Sequence, residues 1–244
     1  MTAVVVGASA GLGRALSEAL AAAGHDLVLV SADARDVEAA ASDLRIRHGV
    51  RVVGVPLDLG GGPARLEPLH QAVRDLGGPD ALLLPIGWTA ATDDATTSAD
   101  VAARLVWTNL LSVVAVVGEL LGELRQKPRA SIVGFGSVAA VRGRGTNMVY
   151  AASKRALQTW FEGLRHACAG TSVRVSFYVL GFLDTSLAFG RRTPLPRADP
   201  ARLSARVVRD LGRSEGVVYH PRAWRIVSLI LPLLPFFLWK RLKT

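Results

Sequence analysis

The sequence predicts an α/β fold: a doubly wound parallel sheet of about seven strands in a single domain, with an apolar tail at the C-terminus. Short runs rich in β-branched residues alternate with longer helical stretches, which is typical of βαβ units. Most strand candidates are continuous apolar runs, as expected of strands that helices cover on both faces. The 244 residues suffice for one such domain, and no repeat or linker divides them.

The predicted elements alternate along the whole chain. The strand candidates are the apolar runs at residues 3–6, 27–30, 52–57, 81–86, 131–135, 173–179 and 217–219. The helix candidates between them lie at residues 13–23, 36–47, 64–76, 98–125, 149–169 and 200–212. The first strand begins without a basic segment before it, so we expect no secretory signal and a cytoplasmic protein.

Composition restricts the classes of partner. Half of the residues are hydrophobic and the formal net charge is +9, which suits anionic partners such as phosphorylated substrates or anionic lipid. The arginines are scattered, without a stripe of basic and aromatic residues, so we expect no nucleic-acid binding. The single Cys168 excludes an internal disulfide, and the five histidines lack metal-ligand spacing, so we expect no metal site.

Three glycines follow the first predicted strand, in the segment AVVVGASAGLG at residues 3–13. Glycine lets the backbone approach a pyrophosphate closely, and the N-terminus of the next helix supplies free N–H groups and a positive dipole end. A purely structural turn is the alternative, but the strand before and the helix after favour dinucleotide binding. The predicted phosphate-binding residues are Gly7, Ser9, Ala10, Gly11, Leu12 and Gly13.

A second candidate site lies between residues 136 and 154. Tyr150 and Lys154 are four residues apart and therefore share one face of the predicted helix. A tyrosine phenol with an ordinary pKa of about 10 is a poor proton donor at neutral pH, and a nearby lysine ammonium improves it by stabilising the phenolate. Ser137 ends an apolar strand and is placed to donate a hydrogen bond to a substrate carbonyl. Together with the glycines, the three residues predict proton transfer beside a dinucleotide.

These motifs resemble the short-chain dehydrogenase/reductase family, a Rossmann-fold family with the same G-x-x-x-G-x-G spacing and a matching serine, tyrosine and lysine. Asn109, in the segment WTNLLS, matches the family's fourth catalytic residue, which kinks a helix and holds a water for proton relay. The resemblance implies hydride transfer from NADPH or NADH to a ketone. Tyr150 would protonate the oxygen, Ser137 would orient it, and Lys154 would also bind the nicotinamide ribose.

The resemblance also implies an assembly and a domain plan. Family members commonly form dimers or tetramers through the helices that here hold Asn109 and Tyr150, so we expect a homodimer or tetramer. The domain is expected over residues 1–221, with a substrate lid at about 186–213 and the tail over 222–244.

Further cofactor contacts follow from the same resemblance. Asp58 matches the aspartate that contacts the adenine, and Ser31 stands where NAD-dependent members carry a carboxylate. The missing carboxylate favours NADPH slightly over NADH, with Arg14 or Arg35 as a partner for the 2′-phosphate. The cofactor-binding residues predicted in this way are Ser31, Arg35, Asp58, Leu59, Gly87, Tyr150, Lys154, Gly181 and Thr185.

Three segments depart from the family pattern. Val6 replaces a threonine, LPIG at residues 84–87 replaces Asn-Asn-Ala-Gly, and Leu180-Gly181 replaces Pro-Gly. The second change removes side-chain hydrogen bonds that brace the cofactor site. The four proton-transfer residues are all present, so we expect an active enzyme. A non-catalytic NAD(P)-binding scaffold or sensor is the alternative that the changed segments favour.

The segments at 142–157, 180–187 and 217–242 are similar to one branch of the family, the decaprenylphosphoryl-2-keto-erythropentose reductases of cell-envelope synthesis. This similarity implies a lipid-linked keto-sugar as the substrate, and a 3-keto-lipid, acyl or sphingoid, is the alternative. Arg142 and Arg144 are candidates to face a phosphate near the active site, although surface arginines are commoner.

The tail, WRIVSLILPLLPFFLWKRLKT at residues 224–244, is too short and too interrupted by proline for a membrane span. Its large apolar side chains would nevertheless leave water, and Trp224, Trp239 and the basic residues beside them suit a membrane interface. We therefore predict a peripheral protein on the inner face of the cell membrane. Packing of the tail against its own domain or a second copy is the alternative.

Overall fold

The computed structural model describes residues 1–63, 65–184 and 197–241. Seven parallel strands form one sheet with the order β3-β2-β1-β4-β5-β6-β7. The strands are β1 (Thr2–Val6), β2 (Asp26–Ser31), β3 (Val52–Pro56), β4 (Ala81–Leu84), β5 (Ala130–Ser137), β6 (Val173–Leu180) and β7 (Gly216–His220). The predicted doubly wound sheet of seven strands is confirmed.

Helices connect the strands and cover both faces of the sheet. They are α1 (Gly11–Ala22), α2 (Ala34–His48), α3 (Glu67–Asp75), α4 (Ala99–Val106), α5 (Ser112–Gln126), α6 (Met148–Ala167), α7 (Pro200–Asp210), α8 (Trp224–Ile230) and α9 (Phe236–Trp239). The order of the predicted elements is correct, and the boundaries differ by a few residues. The fourth strand ends at Leu84 rather than at residue 86, since Pro85 has no N–H group to donate to a neighbouring strand.

The core forms two layers, one on each face of the sheet. Apolar side chains of α3, α5 and α6 pack on one face, with Leu69, Leu120 and Phe161 among them. Those of α1, α2 and α7 pack on the other, with Leu16 and Leu203 among them. Burial on both faces explains why the strands read as continuous apolar runs.

The order of the strands reverses between β1 and β4, which are neighbours in the sheet although two strands separate them in sequence. The connections on either side of this pair leave the sheet in opposite directions. In doubly wound sheets the crevice at such a switch point, outside the carboxyl ends of the strands, is where ligands bind.

Two glycines of β5 allow α6 to lie close to the sheet. A Cβ atom at Gly134 would lie 2.3 Å from the ring of Phe161 on α6, and one at Gly136 would lie 2.5 Å from the ring of Phe177 on β6. The two rings pack against each other with centroids 5.0 Å apart. Helix α6, which carries Tyr150 and Lys154, is thereby held over the end of β5.

Helices α4 and α5 are one continuous helical run with a π-helical turn, Trp107–Leu111, between them. Asn109, where the family resemblance implied a kink, lies inside this π-helical turn. Within the described part of the chain, this run, Ala99–Gln126, is long and apolar enough by length and composition to cross a membrane. A core helix meets the same criterion, and Val113, Val117 and Leu124 of this helix lie in the core.

The C-terminal segments are described in part. Residues 186–196 of the predicted lid lie outside the described residues, and Pro200–Asp210 form α7, which packs against α1. The tail consists of α8, a 3-10 turn at Leu231–Leu233 and α9. The breaks between these short helices fall at Pro232 and Pro235, where backbone donors are missing.

Candidate active site

A cleft with a volume of about 1540 Å³ opens at the carboxyl ends of the strands. Its lining brings together residues that are far apart in sequence. The predicted site residues that line it are Gly7, Ser9, Ala10, Gly11, Leu12, Ser31, Asp58, Leu59, Gly87, Ser137, Tyr150, Lys154 and Gly181. Thr185 lies outside the described residues.

The glycine segment forms a tight cradle at the start of α1. Gly7 and Gly11 have positive φ angles of 91° and 50°, which favour glycine. A Cβ atom at Gly13 would lie 1.8 Å from the carbonyl oxygen of Gly7, so Gly13 serves close packing rather than lining the cleft. No side chain caps α1 at Ala10. Gly11 and Leu12 of its first turn line the cleft, where their backbone N–H groups are available to a ligand. This end of the cleft fits a pyrophosphate.

The adenosine end of the cleft has no carboxylate at the end of β2. The Ser31 hydroxyl donates a hydrogen bond to Ser9 Oγ at 2.7 Å, and the nearby Asp33 caps α2 by accepting from the N–H groups of Arg35 and Asp36. These hydrogen bonds hold the pKa of Asp33 below its usual range. The structure does not bring Arg35 to the cleft, because α2 begins at Ala34 and leaves that side chain 94% exposed.

Thr108 is a residue that the sequence reasoning missed. Thr108 lines the cleft, and its hydroxyl oxygen is buried without a hydrogen-bond partner in the described part of the protein. It lies beside Asp58 and Gly60, since a Cβ atom at Gly60 would be 3.2 Å from both side chains. Buried hydroxyl groups are normally satisfied, so this group fits a polar atom of a bound dinucleotide. Its place next to Asn109 in WTNLLS was the available signal.

Lys154 is buried at the inner end of the cleft, with 4% of its surface exposed. Its ammonium donates to the carbonyl oxygens of Ile86 at 3.1 Å and Phe135 at 3.3 Å. Removal of water by burial lowers the pKa of Lys154 to about 8. The group therefore keeps a proton at neutral pH and can also give one up within the range in which enzymes work.

Asn109 braces the loop after β4. Its side-chain oxygen accepts from the N–H of Trp88 at 2.8 Å, and its side-chain amide donates to the Trp88 carbonyl at 2.9 Å. The adjacent Ile86 carbonyl accepts from Lys154. The segment LPIG lacks the family's side-chain hydrogen bonds, yet Lys154 binds its backbone at Ile86 and Asn109 binds the backbone of Trp88, the residue directly after it. This backbone bracing explains how the changed segment keeps its place in the cleft.

Asp93 holds the N-terminus of α6 from a distant loop. Asn147, the residue before α6, makes no side-chain capping hydrogen bond. The Asp93 carboxylate accepts instead from the N–H groups of Val149 at 2.8 Å and Tyr150 at 2.9 Å. Asp93 is buried and precedes the helix by more than fifty residues in sequence. Sequence patterns search for a cap next to its helix, so they could not have found it.

Ser137 lies at the end of β5 and lines the cleft. Its hydroxyl oxygen accepts a hydrogen bond from the N–H of Ala139 at 3.1 Å, which begins the 3-10 turn Val138–Val141. The hydroxyl hydrogen is thus available for a ligand in the cleft. Ser137, Tyr150 and Lys154, predicted from spacing alone, are brought to one cavity by β5 and α6.

The tail builds part of the wall of the cleft. Trp224, Val227, Leu231 and Trp239 line the cleft there. The indole of Trp224 occupies the space that a side chain at Gly181 would need, since a Cβ atom there would lie 2.1 Å from Trp224 Nε1. Phe182 packs edge-on against the same indole, with ring centroids 5.9 Å apart. Gly181, the residue of this pair that matches the family pattern, thus leaves room for a tail residue.

Arg142 joins the active-site loop to the tail. Its guanidinium donates to the carbonyl oxygens of Leu231 and Leu234, each at 2.6 Å, and lies 4.8 Å from the centre of the Trp239 ring. The Trp239 indole in turn donates to the Gly143 carbonyl at 3.0 Å. Arg142, a candidate for phosphate binding, lines the cleft and also anchors the tail there. Arg144 lines the cleft.

Comparison with known proteins agrees with this architecture. A family model for short chain dehydrogenase matches residues 1–194. The chain belongs to the short-chain dehydrogenase/reductase family. It is 31% identical over 240 residues to an uncharacterized oxidoreductase of Mycobacterium tuberculosis, covering 98% of this chain and 96% of that protein. Over 198 residues it is 28% identical to the ketoacyl reductase HetN of a Nostoc species, covering 80% of this chain and 68% of that protein.

The solved structures include a short-chain dehydrogenase from Sphingobium yanoikuyae in complex with NADPH. Its TM-score is 0.82 at 24% identity, over 100% of this chain and 96% of that one. This short-chain dehydrogenase/reductase is accordingly an oxidoreductase that uses NAD(P)(H), and the cradle at Gly7, the unpartnered Thr108 hydroxyl and the cleft between them fit such a cofactor. Within the described residues, no group of three histidine, cysteine, aspartate or glutamate side chains is arranged to hold a metal ion.

Proposed function

We propose that this protein is an NADPH-dependent ketoreductase whose substrate is a ketone carried on a lipid. One observation carries the proposal: Ser137 and Tyr150 line the same cleft as Trp224, Val227 and Leu231 of the apolar tail. A ketone bound at Ser137 and Tyr150 would therefore lie in the same cleft as an apolar wall. A lipid chain attached to the ketone would bury apolar surface there, which favours binding by roughly 25 cal/mol per Å².

The residues have separate roles in the proposed reaction. A nicotinamide held in the cleft would supply a hydride for the carbonyl carbon. Tyr150 donates its phenolic proton to the carbonyl oxygen, so that a ketone becomes a secondary alcohol, and Ser137 donates a hydrogen bond that orients that oxygen. Lys154, held by two backbone carbonyls, places a positive charge near the phenolate that remains. Asn109 keeps the loop at residues 86–88 in place for these contacts.

The proposed preference for NADPH rests on the end of β2. Ser31 and Ala32 line the cleft where a carboxylate would repel a 2′-phosphate, and the Asp33 carboxylate is committed to the N-terminus of α2. The structurally similar dehydrogenase from Sphingobium yanoikuyae was solved with NADPH. The chain carries no arginine at Ser31 or Ala32, so the expected preference is modest.

Two classes of lipid ketone remain in the proposal. A polyprenylphosphoryl 2-keto-pentose is favoured by the similarity of the tail and active-site segments to reductases of cell-envelope synthesis, and by Arg144 in the cleft lining as a group of suitable charge for a phosphate. A 3-oxoacyl lipid is favoured by the relationship to a ketoacyl reductase. Both have an apolar chain for the wall formed by Trp224 and Leu231.

The decisive experiment measures NADPH oxidation by the purified protein with a polyprenylphosphoryl 2-keto-pentose and a 3-oxoacyl thioester side by side. We expect one to be reduced at least tenfold faster in kcat/KM, and the Tyr150→Phe variant to lose activity by at least about a hundredfold while still binding NADPH. Tyr178→Phe is the matched control, because Tyr178 bonds Asp210 on the far side of the sheet. Full activity in Tyr150→Phe would contradict the mechanism, and no turnover of either ketone by the wild type would favour a scaffold.

A further inference from the structure

The tail has a second surface that faces away from the cleft. Seven of its large apolar side chains are between 42% and 80% exposed, namely Ile226, Leu229, Ile230, Leu233, Phe236, Phe237 and Leu238. We call this set the apolar tail face. In the rest of the described chain, the exposed large hydrophobic residues are scattered over separate elements, as at Met1, Ile46 and Val217. Single exposed apolar residues are ordinary, whereas a contiguous group indicates a binding surface.

The tail is held to the domain, so the exposure of this face is not simply fraying. Trp224 and Trp239, near the two ends of the tail, are each only 8% exposed. Arg142 binds the backbone carbonyls of Leu231 and Leu234, between the two tryptophans. These contacts fix one side of the tail against the cleft and leave the opposite side without a partner in the described chain.

Charge decides which partner suits the face. Arg222, Arg225, Lys240 and Arg241 are exposed at its two ends, and no acidic residue follows Glu215 in the sequence. A second copy of the chain packed by two-fold symmetry would bring these cations against their own equivalents. An anionic lipid surface would attract them, while its acyl chains accept the leucine and phenylalanine side chains.

We propose that the apolar tail face inserts into the interface of an anionic membrane and that the cleft consequently opens at the membrane surface. The helical segment Trp224–Leu233 is far shorter than the roughly 20 residues of a span, so the tail lies in the interface and does not cross it. Other side chains of the tail line the cleft, namely Trp224, Val227, Leu231 and Trp239. The tail is thus a partition between the lipid and the catalytic residues.

Membrane binding of the tail would also deliver the substrate, and this second role rests on the proposed function. A ketone on a lipid would reach Tyr150 by sliding along the tail, with its chain still largely in the bilayer. The lipid would then avoid exposure of its chain to water on the way into the cleft. Binding to vesicles is independent of turnover, so the two proposals can fail separately.

The test is co-sedimentation of the full-length protein with vesicles of phosphatidylcholine alone and of phosphatidylcholine mixed with phosphatidylglycerol. We expect sedimentation with the mixed vesicles and weaker binding at high salt, because surface charges are screened. The double variant Phe236→Ser/Phe237→Ser should bind at least about tenfold more weakly, since two large apolar groups no longer insert. Ile46→Ser is the matched control, because Ile46 is 84% exposed on α2 and should not matter.

Three outcomes would overturn the proposal: wild-type protein that stays in the supernatant with the mixed vesicles, a double variant that sediments like the wild type, or a lipid-free dimer that the double variant dissociates. The last would assign the face to a second copy of the chain. The midpoint of chemical unfolding serves as the folding check, since Phe236 and Phe237 are exposed and their replacement should leave it unchanged. Loss of vesicle binding by the double variant with an unchanged midpoint would support the membrane role, whatever the natural substrate.

Discussion

Asp93 accepts hydrogen bonds from the backbone N–H groups of Val149 and Tyr150, at 2.8 and 2.9 Å. The carboxylate thereby caps α6 at the residue that donates the proton in the proposed reaction. A loop more than fifty residues earlier in the sequence thus sets the start of the catalytic helix. We infer that Asp93 is a positioning residue, because its carboxylate accepts from the backbone of Tyr150 and from that of Val149 beside it.

We expect Asp93→Ala to lower the free energy of unfolding by about 1–2 kcal/mol, as the loss of a helix cap does, and also to lower kcat. Chemical unfolding and steady-state kinetics with NADPH are the measurements. Asp199→Ala is the control, because Asp199 caps α7 by accepting from Ala201 N–H and lies away from Tyr150. Equal kcat in the two variants would show that the Asp93 cap serves stability only.

The end of β2 should control the choice of cofactor. Ser31 lines the cleft and donates to Ser9, with no carboxylate at this position. Ser31→Asp adds a negative charge that repels a 2′-phosphate and can bind the ribose hydroxyls of NADH. The ratio of kcat/KM for NADPH to that for NADH should fall by about tenfold or more, while kcat at saturating cofactor changes little. An unchanged ratio would mean that the 2′-phosphate is read elsewhere in the cleft.

Gly181 should be essential for the position of Trp224. A Cβ atom there would lie 2.1 Å from Trp224 Nε1, so Gly181→Ala must displace the indole from the wall of the cleft. We expect a loss of about 1–3 kcal/mol in the free energy of unfolding and a higher KM for a lipid ketone. Gly163→Ala is the control, since nothing lies within 4 Å of a Cβ atom at that helical position. The combination of Gly181→Ala with Trp224→Leu should recover part of the stability, and no recovery would contradict the steric explanation.

Lys154 should make stability depend on pH in alkaline solution. Burial lowers its pKa from 10.5 to about 8 in the folded protein. Between those two values the unfolded chain binds more protons, so the free energy of unfolding rises as the pH increases from about 8 to about 10.5. Below pH 8 both states hold the proton and the contribution is constant.

Chemical unfolding of the wild type and of Lys154→Met at pH 7.5 and pH 10.5 isolates this effect, because the other titrating groups are common to both proteins. We expect the wild type to gain about 3 kcal/mol relative to the variant across this range, from a pKa shift of roughly two units or more. An equal change in the free energy of unfolding of the two proteins between pH 7.5 and pH 10.5 would show that Lys154 is better hydrated than its burial implies.

Much of the catalytic machinery was predictable because it depends on local spacing. The four-residue step between Tyr150 and Lys154 places them on one helical face whatever surrounds the helix, and the glycines at 7, 11 and 13 report a close turn wherever it lies. Arg35 is close to Ser31 in sequence but does not line the cleft, because α2 begins at Ala34 and leaves its side chain exposed, and its role toward a 2′-phosphate stays a prediction. The oligomeric state, the cytoplasmic location and the lid at 186–213 stay predictions.

The sequence by itself determined the doubly wound sheet of about seven strands, because the alternation of short apolar runs with helical stretches indicates βαβ units. Its short-range spacing also predicted Ser137, Tyr150 and Lys154 as the proton-transfer residues. Only the tertiary structure decided what Asp93, Thr108, Arg142 and Gly181 do, because each acts on a partner distant in the chain. The tail shows the division most plainly. Its composition indicated apolar surface that would leave water, and the fold divided that surface between Trp224 and Trp239 in the cleft and Phe236 and Phe237 outside it.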